Sequence, residues 1–335
     1  MRIAVDAMGG DYAPAEIVKG AVGAAALYGV DIVLVGDEQA IKSHLPKRMD
    51  MNGRVEVHHT PDCIRMDDHV DSIRTKPGAS VVIAAGMVRS REAQAMISVG
   101  NTAAAMAVAT LKLGRIPGID RPAIATILPS KGGNTILLDA GATADCSVNN
   151  LLQFAIMGSI YAEKVLKKPQ PRVGLLSIGE ESSKGNELTK ATHPVLREMD
   201  ISFIGNVEGR DLFSGGADVV VADGFVGNVA LKVAEGLADL LLGQFREMSK
   251  NPILKISLLC LKPALMQVKR RFDYTQYGGA PLLGVNGVCI IGHGRSNAKA
   301  VSSAIRAAKE AVDHDIINCI KTSLPSVERS PAVRS

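Results

Sequence analysis

Short apolar runs that end at Gly or Asp recur along the chain, and a helical pattern follows each one. Arg2–Val5 ends at Asp6, Asp31–Val35 at Gly36-Asp37, Ala95–Val99 at Gly100-Asn101 and Thr135–Leu138 at Asp139. Arg172–Ile178 ends at Gly179, Asp218–Ala222 at Asp223-Gly224 and Val288–Ile291 at Gly292. Runs of this length with no internal alternation suit strands buried on both faces. The strand–turn–helix rhythm predicts an α/β fold: a doubly wound, mostly parallel sheet with helices on both faces. Ligands of such sheets sit beyond the carboxyl ends of the strands, so the loops after these runs are expected to converge on one crevice. Helices are expected near Pro14, where a missing N–H does no harm, and from Gly227 onward. In the second of these Val229, Val233, Leu237, Leu240, Leu241 and Phe245 keep helical spacing. Ser296 or Asn297 is placed to cap a last long helix running through Ala311.

The rhythm breaks between Gly243 and Tyr277, where no strand pattern is found. Leu254, Leu258, Leu261, Leu265 and Val268 form an apolar stripe, while Lys255, Lys262, Lys269, Arg270 and Arg271 recur on another face. This reads as two short amphipathic helices projecting from the α/β body. One reading makes them a core or dimer-packing face. The other makes them a tip that dips its leucines into a membrane interface while the cations meet anionic lipid. Residues 1–325 are expected to form a single catalytic domain that includes this tip, and residues 326–335 a disordered tail.

Composition narrows the picture. The chain has 335 residues, 47% of them apolar but only 3% aromatic, with no Trp. The core must therefore be aliphatic. A net charge of +4 is too small and too dispersed to argue nucleic-acid binding, and the aromatics that would stack bases are scarce. The five cysteines, at 63, 146, 260, 289 and 319, show no Cys-x-x-Cys spacing and read as free thiols in a reducing compartment. Met1-Arg2-Ile3-Ala4-Val5-Asp6 lacks the apolar run of a signal peptide, so a cytoplasmic location is expected.

The candidate chemistry lies in the loops. Asp6-Ala7-Met8-Gly9-Gly10-Asp11 follows the first run and precedes Pro14. Paired glycines let backbone N–H groups approach an anion, and the next helix adds the positive end of its dipole. Ser98-Val99-Gly100-Asn101-Thr102 repeats the idea with side chains that can also donate. Ser182-Ser183-Lys184-Gly185-Asn186-Glu187 sets a cation beside a Gly-Asn turn, and Asp223-Gly224-Phe225-Val226-Gly227-Asn228 is another glycine-flanked helix start. Tyr277-Gly278-Gly279 and His293-Gly294 border the last strand unit. Neither Gly-x-Gly-x-x-Gly nor Gly-Lys-Ser/Thr occurs at the opening loop, and no Gly-x-Ser-x-Gly or His-Glu-x-x-His is found. The inventory is backbone amides, Asn amides, hydroxyls, one Lys and one His. It suits direct transfer with phosphate as a reactant, needing neither metal nor cofactor.

Taken together and in order, the motifs resemble the PlsX-type phosphate acyltransferases of bacterial phospholipid synthesis. The matching stretches are Met1–Asp11 with Pro14, Ser98–Thr102, Arg115–Ala123, Leu137–Gly141, Gln153–Tyr161, Arg172–Leu188, Phe203–Asp211, Ala217–Gly236, Tyr277–Gly284 and His293-Gly294. The chain departs from the family pattern at Tyr12 (usually His), Ala103 (usually Gly) and Ser177 (commonly Asn). The resemblance implies transfer of a long-chain fatty acyl group from acyl carrier protein to inorganic phosphate. The acyl phosphate so formed would feed a membrane acyltransferase that acylates glycerol 3-phosphate. It further implies a fold similar to phosphotransacetylases and isocitrate dehydrogenase-like proteins, a homodimer, and peripheral membrane contact through the tip that carries Leu254, Lys255, Leu258, Leu261 and Lys262. An oxidoreductase of the related dehydrogenase fold is the alternative.

From residue chemistry and loop placement, phosphate binding is expected at Gly9, Gly10, Gly100, Asn101 and Thr102. Lys184, Asn228 and His293 are expected to serve the oxyanion and the departing thiolate.

Overall fold

A computed structural model describes residues 1–46, 54–248, 250, 263 and 276–324. The strands are β1 (Arg2–Asp6), β2 (Asp31–Gly36), β3 (Val55–His59), β4 (Ala95–Ser98), β5 (Ala123–Ser130), β6 (Gly133–Leu138), β7 (Val173–Leu176), β8 (Phe203–Val207), β9 (Val219–Val221), β10 (Ala280–Leu283) and β11 (Val288–Ile291). The helices are α1 (Ala15–Tyr28), α2 (Glu38–His44), α3 (Ser72–Thr75), α4 (Ser80–Arg89), α5 (Thr102–Val108), α6 (Val148–Lys164), α7 (Glu187–Glu198), α8 (Gly224–Met248), α9 (Ala298–Asp313) and α10 (Ile316–Ser323).

All the described strands join one sheet in the order β3-β2-β1-β4-β11-β10-β5-β6-β9-β7-β8. Seven of its ten pairings are parallel, and the antiparallel ones gather in the middle at β11-β10, β10-β5 and β5-β6. The sheet is thus two parallel halves joined by an antiparallel seam. Alternate strand residues feed opposite layers, as period-2 geometry requires. Ile3, Val5, Ile32, Leu34, Val219 and Val221 pack with α1, α6, α9 and α10. Ala4, Val33, Val35, Met96 and Val220 pack with α4 and α5 on the other face. Helices therefore cover both faces, as the apolar runs predict.

Polar caps start the helices just past strand ends. Asp37, Asn101, Ser147, Asn186 and Asn297 each accept a backbone N–H of the first helical turn. Asn297, not Ser296, is the cap of the last long helix, which runs on to Asp313. No helix among the described residues is long and apolar enough to cross a membrane. The expected tip residues Leu254, Lys255, Leu258, Leu261 and Lys262, and the expected tail 326–335, lie outside the described residues.

Candidate active site

The first polar rim is built at the carboxyl ends of β1, β4 and β11. Asp6 closes β1 and is only 3% exposed. Its carboxylate accepts Ser80 Oγ of α4 at 2.6 Å and Ser98 Oγ of β4 at 2.7 Å. It also accepts the backbone N–H groups of Met8 and Gly9. Burial raises its pKa above the ordinary carboxylate value, and those hydrogen bonds oppose the rise. The opening loop cradles a carboxyl group, and that group is its own Asp6.

Gly9 is required here by close approach. A Cβ on it would stand 2.6 Å from Asp6 Oδ2 and 2.9 Å from the Gly100 nitrogen. The loops after β1 and β4 therefore touch backbone to backbone. Asp11 N donates to Gly294 O at 2.8 Å, which brings in the loop after β11. Gly9, Gly10, Gly100, Asn101, Thr102 and His293 all belong to this rim. Two side chains at this rim are engaged locally. Asn101 spends its side chain locally: Oδ1 caps α5 at Ala104 N, and Nδ2 donates to Met66 O and Asp68 O at 3.1 and 3.0 Å. Ser98 donates to Asp6. Thr102 stays exposed at the helix start.

His293 is exposed, and its Nδ1 accepts Arg295 N at 3.1 Å, which puts the proton of the neutral ring on Nε2. The Met66–Asp68 stretch that Asn101 holds borders a recess of about 260 Å³ lined by Pro61, Asp62, Cys63, Arg65, Asp68 and Lys76. Lys76 is paired there with Asp68 at 2.5 Å.

A second rim is built at the carboxyl ends of β6, β9 and β7. Asp139 is its buried carboxylate, fully shielded from solvent. It accepts the N–H groups of Ile124 (2.9 Å), Gly141 (3.2 Å), Ala142 (2.9 Å) and Thr143 (2.7 Å). Burial raises its pKa too, against those four bonds. Asp6-Ala7 and Asp139-Ala140 are thus the same device, a strand-end Asp-Ala whose carboxylate organises a glycine loop. That repeated pair is the sequence signal for Asp139, which ends the Thr135–Leu138 run. The Arg115–Ala123 motif joins this rim as well, since Pro122 O accepts Thr143 Oγ1 at 3.4 Å.

Asn228 and Lys184 sit on the second rim. A Cβ on Gly227 would run into Asp139 O, so the start of α8 lies directly on the Asp139 loop. Asn228 follows, exposed, with its Cβ and Cγ each 3.5 Å from where a Cβ on Gly141 would be. Lys184 is exposed on the loop between β7 and α7, where its backbone N donates to Glu181 O at 3.0 Å. Cys146 is half-buried beside Thr143, and burial pushes its thiol up to about 11. It is therefore protonated at neutral pH and a poor nucleophile.

The antiparallel seam bears on the expectation of one crevice. Strand direction reverses across the seam, so β1, β4 and β11 run opposite to β6, β9 and β7 when followed through their pairings. The site residues fall into two groups, Lys184 with Asn228 on one rim and the rest on the other. Sheet twist partly undoes the reversal. Six neighbour steps separate β1 from β9, and at roughly 20–25° per step the accumulated turn is about 130°. Opposed strands turned by that much leave their carboxyl ends about 50° apart.

From its first turn α8 carries an apolar stripe. Phe225, Val229, Val233, Leu237 and Leu241 are 67%, 48%, 65%, 55% and 53% exposed, at steps of one helical turn. This is the face predicted from the spacing of the sequence, and the described residues leave it uncovered.

Comparison with known proteins agrees with this architecture. A family model described as "Fatty acid synthesis protein" matches residues 1–319. A phosphate acyltransferase of Pelotomaculum thermopropionicum is 53% identical over 98% of this chain and 96% of its own length. A phosphate acyltransferase of Desulfitobacterium hafniense is 50% identical over 97% of this chain and 98% of its own. Among solved structures, a phosphotransacetylase from Streptococcus pyogenes aligns with a TM-score of 0.62 over 93% of this chain and 94% of its own, at 15% identity. That last likeness speaks to the fold alone.

Proposed function

The chain belongs to the family of fatty acid synthesis proteins whose relatives are phosphate acyltransferases, and from that premise we propose that it moves a long-chain fatty acyl group from acyl carrier protein to inorganic phosphate. It is an acyltransferase, and the dehydrogenase alternative gives way to that membership. In the proposed reaction a phosphate oxygen attacks the thioester carbonyl. A C–O bond forms, the C–S bond breaks, and its electron pair leaves on the carrier's sulfur as thiolate. Phosphate at neutral pH is already partly dianionic, so it needs no strong base. Positioning and preorganised donors are what the protein must supply.

The observation that carries this reading is the sorting of polar loops onto two rims, each organised around a buried Asp. Two rims suit two reactants. The Gly9, Gly10, Gly100 and Thr102 rim is assigned to phosphate, and His293, expected from sequence at the oxyanion, is reassigned to phosphate because it lies on this rim. Asn101 serves it by holding the Met66–Asp68 stretch in place. Lys184 and Asn228 are assigned to the oxyanion and the thiolate. The twist of the sheet supports the two rims facing a common side.

The acyl chain is assigned to the apolar face of α8, which begins beside Asn228. The 25-residue helix is long for this task, at about 1.5 Å per residue. Its distal part is assigned to a second copy of the chain, as a homodimer. The sequence pattern beyond it, with Leu254, Leu258 and Leu261 on one face and Lys255 and Lys262 on another, supports peripheral contact between a cytoplasmic enzyme and the membrane. There a membrane glycerol-3-phosphate acyltransferase would consume the acyl phosphate.

The test is direct. Purified protein, long-chain acyl carrier protein and phosphate are expected to yield acyl phosphate, trapped as its hydroxamate, together with free carrier. Thioester loss that is independent of phosphate would overturn the assignment.

A further inference from the structure

Two buried polar atoms on the second rim have no hydrogen-bond partner among the described residues, Ser177 Oγ and Asn206 Oδ1. Asn206 is only 5% exposed. Leaving such atoms unpaired is costly, and native proteins rarely do so without a use for them. Both lie at the carboxyl ends of neighbouring parallel strands. Leu175 of β7 is in register with Asn206 of β8, and Ser177 N donates to Val207 O at 2.8 Å. Ser177 lies two residues beyond Leu175 and so shares its face of the sheet, the face of Asn206. Strand rise and spacing put their Cα atoms about 8 Å apart. An acceptor and a rotatable hydroxyl on one face of neighbouring strands complement one secondary amide, N–H to Asn206 Oδ1 and C=O to Ser177 Oγ.

The loop that covers them carries Lys184. Residues 180 to 184 are all exposed. Glu181 O is tied to Asn206 Nδ2 at 2.9 Å, and Glu180 reaches Arg210 at 3.4 Å through side chains about 70% exposed. Beneath the far end of the loop, a Cβ on Gly185 (φ 111°) would stand 2.8 Å from Ser177 Oγ. One part-buried hydrogen bond and one solvent-exposed ion pair are light fastening, with glycines at both ends of the segment. Asn186 then caps α7, so the helix N-terminus opens at the same place.

We propose that the Ser177–Asn206 recess receives an amide of the carrier's phosphopantetheine arm when the loop from Gly179 to Asn186 lifts, so that the thioester is delivered beside Lys184. This rests on the acyl carrier being the donor substrate. It adds Ser177 and Asn206 as residues that recognise the arm rather than the reacting carbonyl.

The experiment compares binding of two forms of the same carrier, holo with the arm and apo without it, by calorimetry. Wild-type protein is expected to bind the holo form about tenfold more tightly, a difference of the size one well-made hydrogen-bonded amide supplies. Ser177→Ala and Asn206→Ala are expected to bring the holo form to the affinity of the apo form, with apo binding unchanged. Ser177→Thr, which keeps the hydroxyl, is expected to restore most of the difference. The Tm of Ser177→Ala is expected to equal or exceed that of wild type, because an unpaired buried hydroxyl is removed.

The inference fails if wild type does not distinguish the two forms, or if Ser177→Ala leaves the ratio unchanged because the recess only holds water. It also fails if apo and holo affinities fall together. A retained holo preference with no acyl phosphate formed would instead overturn the proposed reaction and leave the arm site standing.

Discussion

Asp6 Oδ2 accepts the hydroxyl of Ser98 at 2.7 Å, and this bond, made at the ends of adjacent strands β1 and β4, fixes the first rim. Ser80 supplies the second hydroxyl from α4 at 2.6 Å. Asp6→Ala would strand both buried hydroxyls and open a void, at a cost of about 3 kcal/mol measurable by urea unfolding. The pH dependence has a definite sign. Burial raises the folded pKa of Asp6 above its reference value of 3.8. A raised carboxyl favours the folded state below the unfolded pKa, and that contribution is lost as pH rises through the folded value. Asp6→Asn is expected to remove this part of the pH–stability curve in the window starting near 3.8 and extending upward. A carboxyl titration midpoint at or below the reference value in wild type, read by carbon NMR, would contradict the account.

Gly227 offers a contrast with Gly23. A Cβ on Gly227 would collide with Asp139 O, whereas one on Gly23 meets nothing within 4 Å. Gly227→Ala must therefore push α8 off the Asp139 loop, and it is expected to destabilise by about 3 kcal/mol or more and to abolish activity. Gly23→Ala, in the exposed interior of α1, is expected to stabilise by about 0.5–1 kcal/mol. Thermal unfolding of the two variants distinguishes the close approach from a general intolerance of alanine.

How far the sequence discloses this molecule depends on which strands are buried on both faces. The seven runs ending at Gly or Asp all correspond to strands, because parallel interior strands need continuous aliphatic sequence. The four remaining strands are of other kinds. Val55–His59 and Phe203–Val207 are the sheet edges β3 and β8, where Glu56, His58 and Ile204 face solvent and polar or glycine residues break the apolar run. Ala123–Ser130 and Ala280–Leu283 form the antiparallel seam, and neither leads through a glycine turn into a helix.

The antiparallel seam was not legible as apolar runs, and it is what divides the site residues between two rims. Without β5 and β10 the strand directions agree throughout. The residues of the site were legible as loops, but their hydrogen bonds were not. Asn101 reads as a phosphate donor from its motif, and in the fold its side-chain amide donates to Met66 O and Asp68 O. No local pattern announces those partners, which lie more than thirty positions away.

Lys184 and Thr102 lie on different rims, so their loss should be felt by different reactants. Lys184→Ala removes a cation assigned to the oxyanion and is expected to lower turnover about 10²–10³-fold with little change in the KM for phosphate. Thr102→Val removes an exposed hydroxyl from the phosphate rim and is expected to raise that KM several-fold with turnover nearly kept. Near-normal acyl-phosphate formation by Lys184→Ala would remove Lys184 from the mechanism. The reverse pattern of kinetic effects would exchange the two rims.

The stripe on α8 bears on assembly. Val233, Leu237 and Leu241 are each more than half exposed in the single chain, an arrangement that soluble monomers rarely leave uncovered. Leu237→Glu with Leu241→Glu is expected to shift the sedimenting species from dimer to monomer at micromolar concentration. Leu254→Glu with Leu258→Glu is expected to leave the dimer intact and to abolish co-flotation with anionic liposomes. A wild-type protein that sediments as a monomer would return the whole stripe to the acyl chain, and unchanged flotation would reject the tip.

Asp218 shows how the second half is held together away from its rim. Its side chain is 13% exposed and accepts Lys168 Nζ at 2.7 Å and Arg172 Nε at 2.9 Å. Arg172 N adds a backbone bond at 3.0 Å. Burial works against the carboxylate, but the bonds from Arg172 and Lys168 outweigh it and hold the pKa down at about 2. A depressed carboxyl stabilises the fold above its unfolded pKa, and that stability is lost as pH falls through the folded value. The shift corresponds to about 2 kcal/mol at neutral pH. Asp218→Asn should cost about that much at pH 7, since it leaves the Lys168 ammonium without its counter-charge. The difference from wild type should shrink as pH falls from near 4 towards 2, because wild type then loses what the variant already lacks. Urea unfolding at neutral pH and near pH 3 measures both points. A penalty that stays constant with pH would show that the loss comes from packing rather than from the charge of Asp218.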